Sequence, residues 1–101
     1  MGLLGDDISS QQAKDWGLIW DIVSDEKLLS KSLEIAERLA NGPIDGLKAI
    51  VKAHDNALSV SLNEQLDYER DTQEVLLDKK EFKEGVSAFV GKRKPNFRDL
   101  S

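Results

Sequence analysis

Residues 84–97 have the sequence EGVSAFVGKRKPNF, and this stretch is the most informative part of the chain. Phe82, Val86 and Phe89 recur at helical spacing, which predicts an amphipathic helix. Gly91 then predicts the end of this helix. A proline four residues later prevents the helix from resuming. The sequence therefore predicts a short amphipathic helix followed by a basic tail.

The basic tail combines cations with aromatic rings. Lys92, Arg93 and Lys94 can bind phosphates, and Phe89 and Phe97 offer ring faces that stack on a base. Together they would hold a nucleotide-like group that carries several phosphates. An exposed basic tail anchored by two aromatic rings explains the same residues equally well.

Four more helices are predicted upstream from capping residues and apolar periodicity. The expected starts of the five helices are, in chain order, Ser9 with Gln12, Ser24, Pro43 at the first helical position, Ser61 with Glu64, and Asp78 with Glu81. Gly17, after Trp16, suits the end of the first helix. Trp16 and Trp20 are interpreted as packing residues, since a short chain rarely exposes such large apolar area.

Residues 18–23, LIWDIV, depart from this helical pattern. They are apolar and rich in β-branched side chains, which predicts a strand. A lone strand cannot satisfy its own backbone groups, and the chain offers no obvious partner strand. We therefore expect a mainly α chain with one short strand left from a larger sheet.

Composition narrows the functional classes. The chain has 101 residues and a net charge of −5, which argues against a general nucleic-acid binder. It has no cysteine, which excludes disulfides, thiolate zinc sites and cysteine nucleophiles. No apolar run approaches the roughly 20 residues that span a bilayer, and residues 1–7 show no signal peptide. We expect a cytoplasmic protein without a membrane partner.

Candidate catalytic groups are few. His54 is the single histidine, and without a partner carboxylate we interpret it as a core-edge or interface residue. Asp67 and Asp71 stand one helical turn apart, but Arg70 lies between them and favours a solvated helix face. No nucleophile-elbow, P-loop or dinucleotide glycine pattern occurs. From the residues alone we favour structural roles for these groups, and we name no catalytic residue and no metal site within this chain.

The order of the motifs resembles the crotonase superfamily of enoyl-CoA hydratases and isomerases. Residues 4–23 resemble the family stretch TG…(I/L)SAxxAxxxGLVxxVV, and residues 84–97 resemble its ending EGxxAFxxKRxPxF. The intervening matches are Leu28, Leu39, Ala40, Pro43 and Leu47. Residues 16–20 and 65–73 most resemble the phenylacetate-pathway branch, 2-(1,2-epoxy-1,2-dihydrophenyl)acetyl-CoA isomerase.

The resemblance implies a ClpP/crotonase-like fold and a trimer or dimer of trimers. Residues 1–23 would then be the last helix and strand of a ββα spiral core. Residues 24–101 would be a C-terminal helical region that provides oligomer contacts and an edge of the coenzyme A site. The family's oxyanion hole and proton-transferring carboxylates match no position of this chain. Val51 and His54 depart from the family pattern, since many relatives have a lysine and an aliphatic residue there.

The resemblance also implies a partial binding site. In hydratase-like relatives, the residues that match Phe89 and Lys92 reach the adenine and phosphates of coenzyme A. Coenzyme A thioester would be the substrate, with no tightly bound cofactor. We expect the C-terminal part of an acyl-CoA hydratase or isomerase, inactive alone, that supplies oligomer contacts and part of this site. The alternative is a non-catalytic helical protein-interaction module.

Overall fold

The computed structural model describes residues 3–100, and all regular structure in that range is α-helical. The helices are α1 (Ser10–Asp15), α2 (Asp25–Ala40), α3 (Ile44–Ala57), α4 (Leu62–Leu77) and α5 (Lys80–Val90). The chain divides into two compact units, Met1–Ile35 and Ala36–Ser101. None of the helices within 3–100 has the length and apolar character needed to cross a membrane.

In the first unit, α1 begins and ends as its sequence predicts. The Ser9 hydroxyl accepts a hydrogen bond from the Gln12 N–H at 3.1 Å, and the Gln12 side chain accepts one from the Ser9 N–H at 3.2 Å. This is a complete capping box. Gly17 has φ +78°, so glycine occupies the left-handed position after the helix.

The predicted strand at residues 18–23 is wrong, and local hydrogen bonds replace it. The N–H groups of Leu18 and Ile19 both bond to the Ala13 carbonyl, at 2.8 and 3.4 Å. The Ile22 N–H bonds to the Asp21 carboxylate at 2.8 Å. A strand needs a neighbour to accept its ladder bonds, and residues 3–100 contain none. Trp16 and Trp20 are 63% and 70% exposed, contrary to the packing role predicted for both.

In the second unit, side-chain bonds tie α3 to α4. The Gln65 side chain donates to the Ala53 carbonyl at 3.0 Å and accepts from the Asn56 amide at 2.9 Å. Within residues 3–100 the one buried residue is Ala88 on α5, at 2% exposure. The small interior means that much apolar surface stays open to contact with other protein.

Helix α5 caps the start of α3. Pro43 is the N-cap of α3, one position before the predicted place, and it provides no side-chain hydrogen bond. Instead, the Glu81 carboxylate of α5 accepts hydrogen bonds from the N–H groups of Asp45 at 3.1 Å and Gly46 at 3.4 Å. These donors have no partner within their own helix, so a tertiary contact satisfies them.

The predicted start of α5 at Asp78 is also wrong. Asp78 is the C-cap of α4, and its N–H donates a hydrogen bond to the Val75 carbonyl at 3.3 Å. Lys79 adopts the extended N-cap conformation, so that α5 begins at Lys80 without a side-chain cap. Glu81 does not complete a capping box because its carboxylate is used by α3.

Candidate functional site

The candidate site lies at the C-terminal end of α5. The Lys92 N–H donates to the Phe89 carbonyl at 3.2 Å, and the Arg93 N–H donates to the Ala88 carbonyl at 3.0 Å. This pair of bonds is a Schellman motif, in which the residue after the C-cap adopts a left-handed conformation. That residue is Lys92, with φ +51°, and it is the only non-glycine residue within 3–100 that has positive φ.

The two predicted binding residues, Phe89 and Lys92, occupy this helix end together. The Phe89 side chain is 86% exposed, so a face of its ring is open to a ligand. Lys92 is also exposed, and its ammonium forms no ion pair with the part of the chain that the structure describes. An open ring and an unpaired cation therefore stand three residues apart at one helix end.

Arg93 is committed to a protein contact. Its guanidinium donates to both oxygens of Glu84, at 2.5 and 3.2 Å, and also to the Ser87 hydroxyl at 3.2 Å. The Asn96 N–H donates to the same Glu84 carboxylate at 2.9 Å. The Arg93 hydrogen bonds, followed by the Asn96 N–H, lower the pKa of Glu84 to about 2. Arg93 is thus unavailable as the phosphate ligand that the basic cluster suggested.

Sequence reasoning missed Glu84 as part of the site. It precedes Arg93 by nine residues, which is not a spacing at which side chains meet along one helix. The two meet because the Schellman motif turns the chain back over the last turns of α5. The position of Glu84 at the start of the EG…KR motif was the one signal that pointed to it.

Phe97 belongs to an apolar groove rather than to the exposed cluster. The groove has a volume of about 410 Å³ and is lined by Phe82, Val86, Phe89 and Phe97, with Pro43 from the start of α3. Phe97 is half-buried there. Phe89 therefore borders both the groove and the basic end of α5.

The remaining candidates lie elsewhere in the second unit. His54 is exposed on α3, so it is not a core residue, and an interface role for it stays a prediction. Arg70 bridges Asp67 at 3.3 Å and Asp71 at 3.0 Å, which makes these carboxylates a surface ion-pair cluster. Within residues 3–100, no group of three or more His, Cys, Asp or Glu side chains is arranged so that it could hold a metal ion.

Comparison with known proteins identifies the family. The family model described as enoyl-CoA hydratase/isomerase matches residues 1–100. The chain belongs to the enoyl-CoA hydratase/isomerase family. It is 42% identical to the 1,2-epoxyphenylacetyl-CoA isomerase of Escherichia coli, over 96% of this chain and 37% of that protein. It is 38% identical to the mitochondrial enoyl-CoA hydratase of Pongo abelii, over 98% of this chain and 34% of that protein.

Solved structures of the family share the fold of this region. An enoyl-CoA hydratase from Polaromonas sp. JS666 superposes with a TM-score of 0.88 and 34% identity, over 95% of this chain and 37% of that one. A putative enoyl-CoA hydratase/isomerase from Mycobacterium abscessus gives a TM-score of 0.87 at 30% identity. The chain thus spans little more than a third of the length of the relatives it matches. The predicted family is confirmed, and the 42% identity to the 1,2-epoxyphenylacetyl-CoA isomerase agrees with the resemblance to the phenylacetate branch.

Proposed function

We propose that this chain supplies subunit contacts and one edge of the coenzyme A site in an acyl-CoA enzyme of the hydratase/isomerase type. We call this edge, formed by Phe89 and Lys92, the coenzyme A edge. The observation that carries the proposal is the exposed pair of Phe89 and Lys92 at the Schellman end of α5. A ring face can pack against adenine, and an ammonium can neutralise phosphate. The chemistry of both groups suits a carrier that has an adenine and several phosphates.

The electrostatics of the helix end make Lys92 important for such binding. The C-terminus of a helix carries a partial negative charge, which by itself repels phosphate. At this end, backbone N–H groups already occupy the carbonyls of Ser87, Ala88 and Phe89. The Lys92 ammonium would then provide the attraction, since Arg93 is paired with Glu84. A hydrogen bond to a charged group contributes about 1.5–3 kcal/mol, roughly a tenfold to hundredfold change in affinity.

The acyl chemistry would reside in the rest of the protein. By the family resemblance, the oxyanion hole and the carboxylates match no residue of this chain, so we expect no turnover from the 101 residues alone. The identity to the E. coli 1,2-epoxyphenylacetyl-CoA isomerase favours an aryl-acyl thioester as the substrate of the complete enzyme. An oxyanion hole would stabilise the enolate that forms next to the thioester.

Uncovered apolar side chains support a role in subunit contacts. On α2, Leu29 and Leu33 are 72% and 59% exposed, and on α4 Leu62 and Leu66 are 74% and 53% exposed. A chain that leaves such residues in water tends to bury them against another protein surface. We expect the isolated chain to self-associate through these faces.

A chimeric enzyme tests the proposal. The last third of the E. coli isomerase would be replaced by this chain, and turnover of its acyl-CoA substrate would be measured. We expect activity, with Lys92→Ala raising KM about tenfold at nearly constant kcat, because it removes one charged contact to the carrier. Lys83→Ala is the matched control. Lys83 is an exposed lysine nine residues before Lys92, in the first turn of α5.

The protein-interaction module remains the second candidate because of the exposed apolar faces. It predicts a chimera that folds but has no turnover, together with no binding of coenzyme A by the chain itself. Equal KM values for the Lys92→Ala and Lys83→Ala chimeras would also contradict the coenzyme A edge, since the two lysines differ in position but not in charge.

A further inference from the structure

We propose that Glu84, through its ion pair with Arg93, is a positioning residue that holds Lys92 toward the phosphates of coenzyme A. The inference rests on the proposed function and assigns a role to two residues that do not themselves reach the carrier. It begins from the backbone of Lys92, which has φ +51°.

A left-handed lysine persists only where its surroundings hold it. Residues other than glycine avoid this conformation because Cβ approaches the following carbonyl oxygen. The first unit offers a direct comparison, since α1 ends in the same motif. There the Gly17 N–H bonds to the Lys14 carbonyl at 3.0 Å, and the Leu18 N–H bonds to the Ala13 carbonyl at 2.8 Å. Glycine fills the left-handed position of α1, whereas lysine fills that of α5.

The Glu84 carboxylate fixes the chain directly after Lys92. It receives the guanidinium of Arg93 and also the N–H of Asn96. The Arg93 N–H is at the same time bonded to the Ala88 carbonyl. Arg93 is therefore held at both its backbone and its side chain, and the peptide that links it to Lys92 cannot rotate freely. These contacts restrain the backbone from which the Lys92 side chain extends.

Because Glu84 is negatively charged, the direction in which phosphate affinity changes when Glu84 is replaced tests this inference. If Glu84 acted only through its charge, its removal would strengthen phosphate binding, because a nearby anion is lost and Arg93 is released. If Glu84 positions Lys92, its removal weakens binding, because Lys92 relaxes to a more common backbone conformation. Glu84 is ionised at neutral pH, since its pKa is about 2, so both expectations refer to the same charged state.

Titration calorimetry of the chain with coenzyme A distinguishes the two. We expect affinity to fall about tenfold in Lys92→Ala and about fivefold to tenfold in Glu84→Gln, with no further fall in the double variant. The matched control is Glu69→Gln, because Glu69 is an exposed acid on α4 and its change removes the same charge. We expect this control to bind at least as well as the wild type.

Two further measurements distinguish the positioning of Lys92 by Glu84 from a role of Glu84 in stability alone. Loss of stability alone would lower the melting temperature of Glu84→Gln but would leave the affinity of the folded chain unchanged. The exchanged pair, Glu84→Arg with Arg93→Glu, restores the ion pair and should recover part of the lost affinity. Recovery would support positioning, whereas affinity no better than that of Glu84→Gln would oppose it.

The outcomes also separate this inference from the proposed function. Glu84→Gln binding as tightly as the wild type, while Lys92→Ala binds weakly, would overturn the role of Glu84 and leave the coenzyme A edge intact. Equal affinity of Lys92→Ala and the wild type would overturn both, as would no measurable binding by any variant.

Discussion

Replacing Lys92 with glycine or with alanine separates the cost of its backbone conformation from the use of its side chain. Both changes remove the ammonium, so both should lose the same affinity for coenzyme A. They differ in the left-handed conformation at φ +51°, which only glycine adopts without strain. We therefore expect the glycine variant to be the more stable of the two.

The size of this difference follows from two opposing effects. The left-handed conformation costs a non-glycine residue about 1–2 kcal/mol. Glycine loses part of that advantage because it adds about 0.4–1 kcal/mol of entropy to the unfolded chain. The remaining difference is about 1 kcal/mol, which shifts the melting temperature of a domain of 60–100 residues by about 4–8 °C.

Thermal melting followed by far-ultraviolet circular dichroism, at one protein concentration, measures this shift. The matched control is Lys94, whose φ is not positive, and there the order should reverse, with alanine the more stable variant. Equal melting temperatures for Lys92→Gly and Lys92→Ala would refute the left-handed geometry. A glycine variant that kept its affinity would refute the role of the ammonium.

Three more predictions concern stability and assembly. Glu81→Ala leaves the Asp45 and Gly46 N–H groups without their cap, and should cost about 1 kcal/mol in urea denaturation. Glu84 has a pKa lowered from 4.5 to about 2, so its stabilising contribution is present above about pH 5 and is lost as pH falls toward 2. The stability gap between wild type and Glu84→Gln should therefore narrow between pH 7 and pH 3. Leu33→Lys places a charge on an exposed apolar face, and should reduce self-association in sedimentation experiments.

Matched variants control these measurements. Glu74→Ala removes an exposed acid of α4, and should change stability by less than about 0.5 kcal/mol. Ser32→Lys adds the same charge next to Leu33, on an exposed polar position. A wild-type chain that stays monomeric at high concentration would contradict the prediction of self-association. A stability difference between wild type and Glu84→Gln that grows as the pH falls would contradict the prediction for Glu84.

Features that depend on neighbouring residues were predictable from the sequence. The capping box of Ser9 and Gln12 forms as expected, and the Ser61 hydroxyl accepts from the Glu64 N–H at 3.2 Å. Gly17 and Gly91 mark the ends of α1 and α5, but only Gly17 takes the left-handed position. Gly91 is the C-cap of α5 with φ −78°, and the left-handed residue is Lys92. Each of these contacts joins residues only a few positions apart, so local chemistry is sufficient to specify it.

The errors arose where a residue's partner lies outside its local neighbourhood. The apolar segment at 18–23 has the composition of a strand, but a strand exists only when a second strand accepts its hydrogen bonds. Asp78 with Glu81 resembles a capping box, but the Glu81 carboxylate caps α3 instead. In both places a nonlocal partner, absent or present, decided the outcome.

The sequence by itself determined the five helices and the family, because periodicity, capping and motifs depend on residues close together in the chain. That Phe89 and Lys92 meet coenzyme A stays a prediction from the sequence motif. Only the tertiary structure decided that Lys92 is left-handed, that Arg93 is committed to Glu84 and that Glu81 serves α3. Those facts depend on how the chain turns back after α5 and how the helices pack. The spacing of residues along the chain does not specify these contacts, because they form only when the helices pack together.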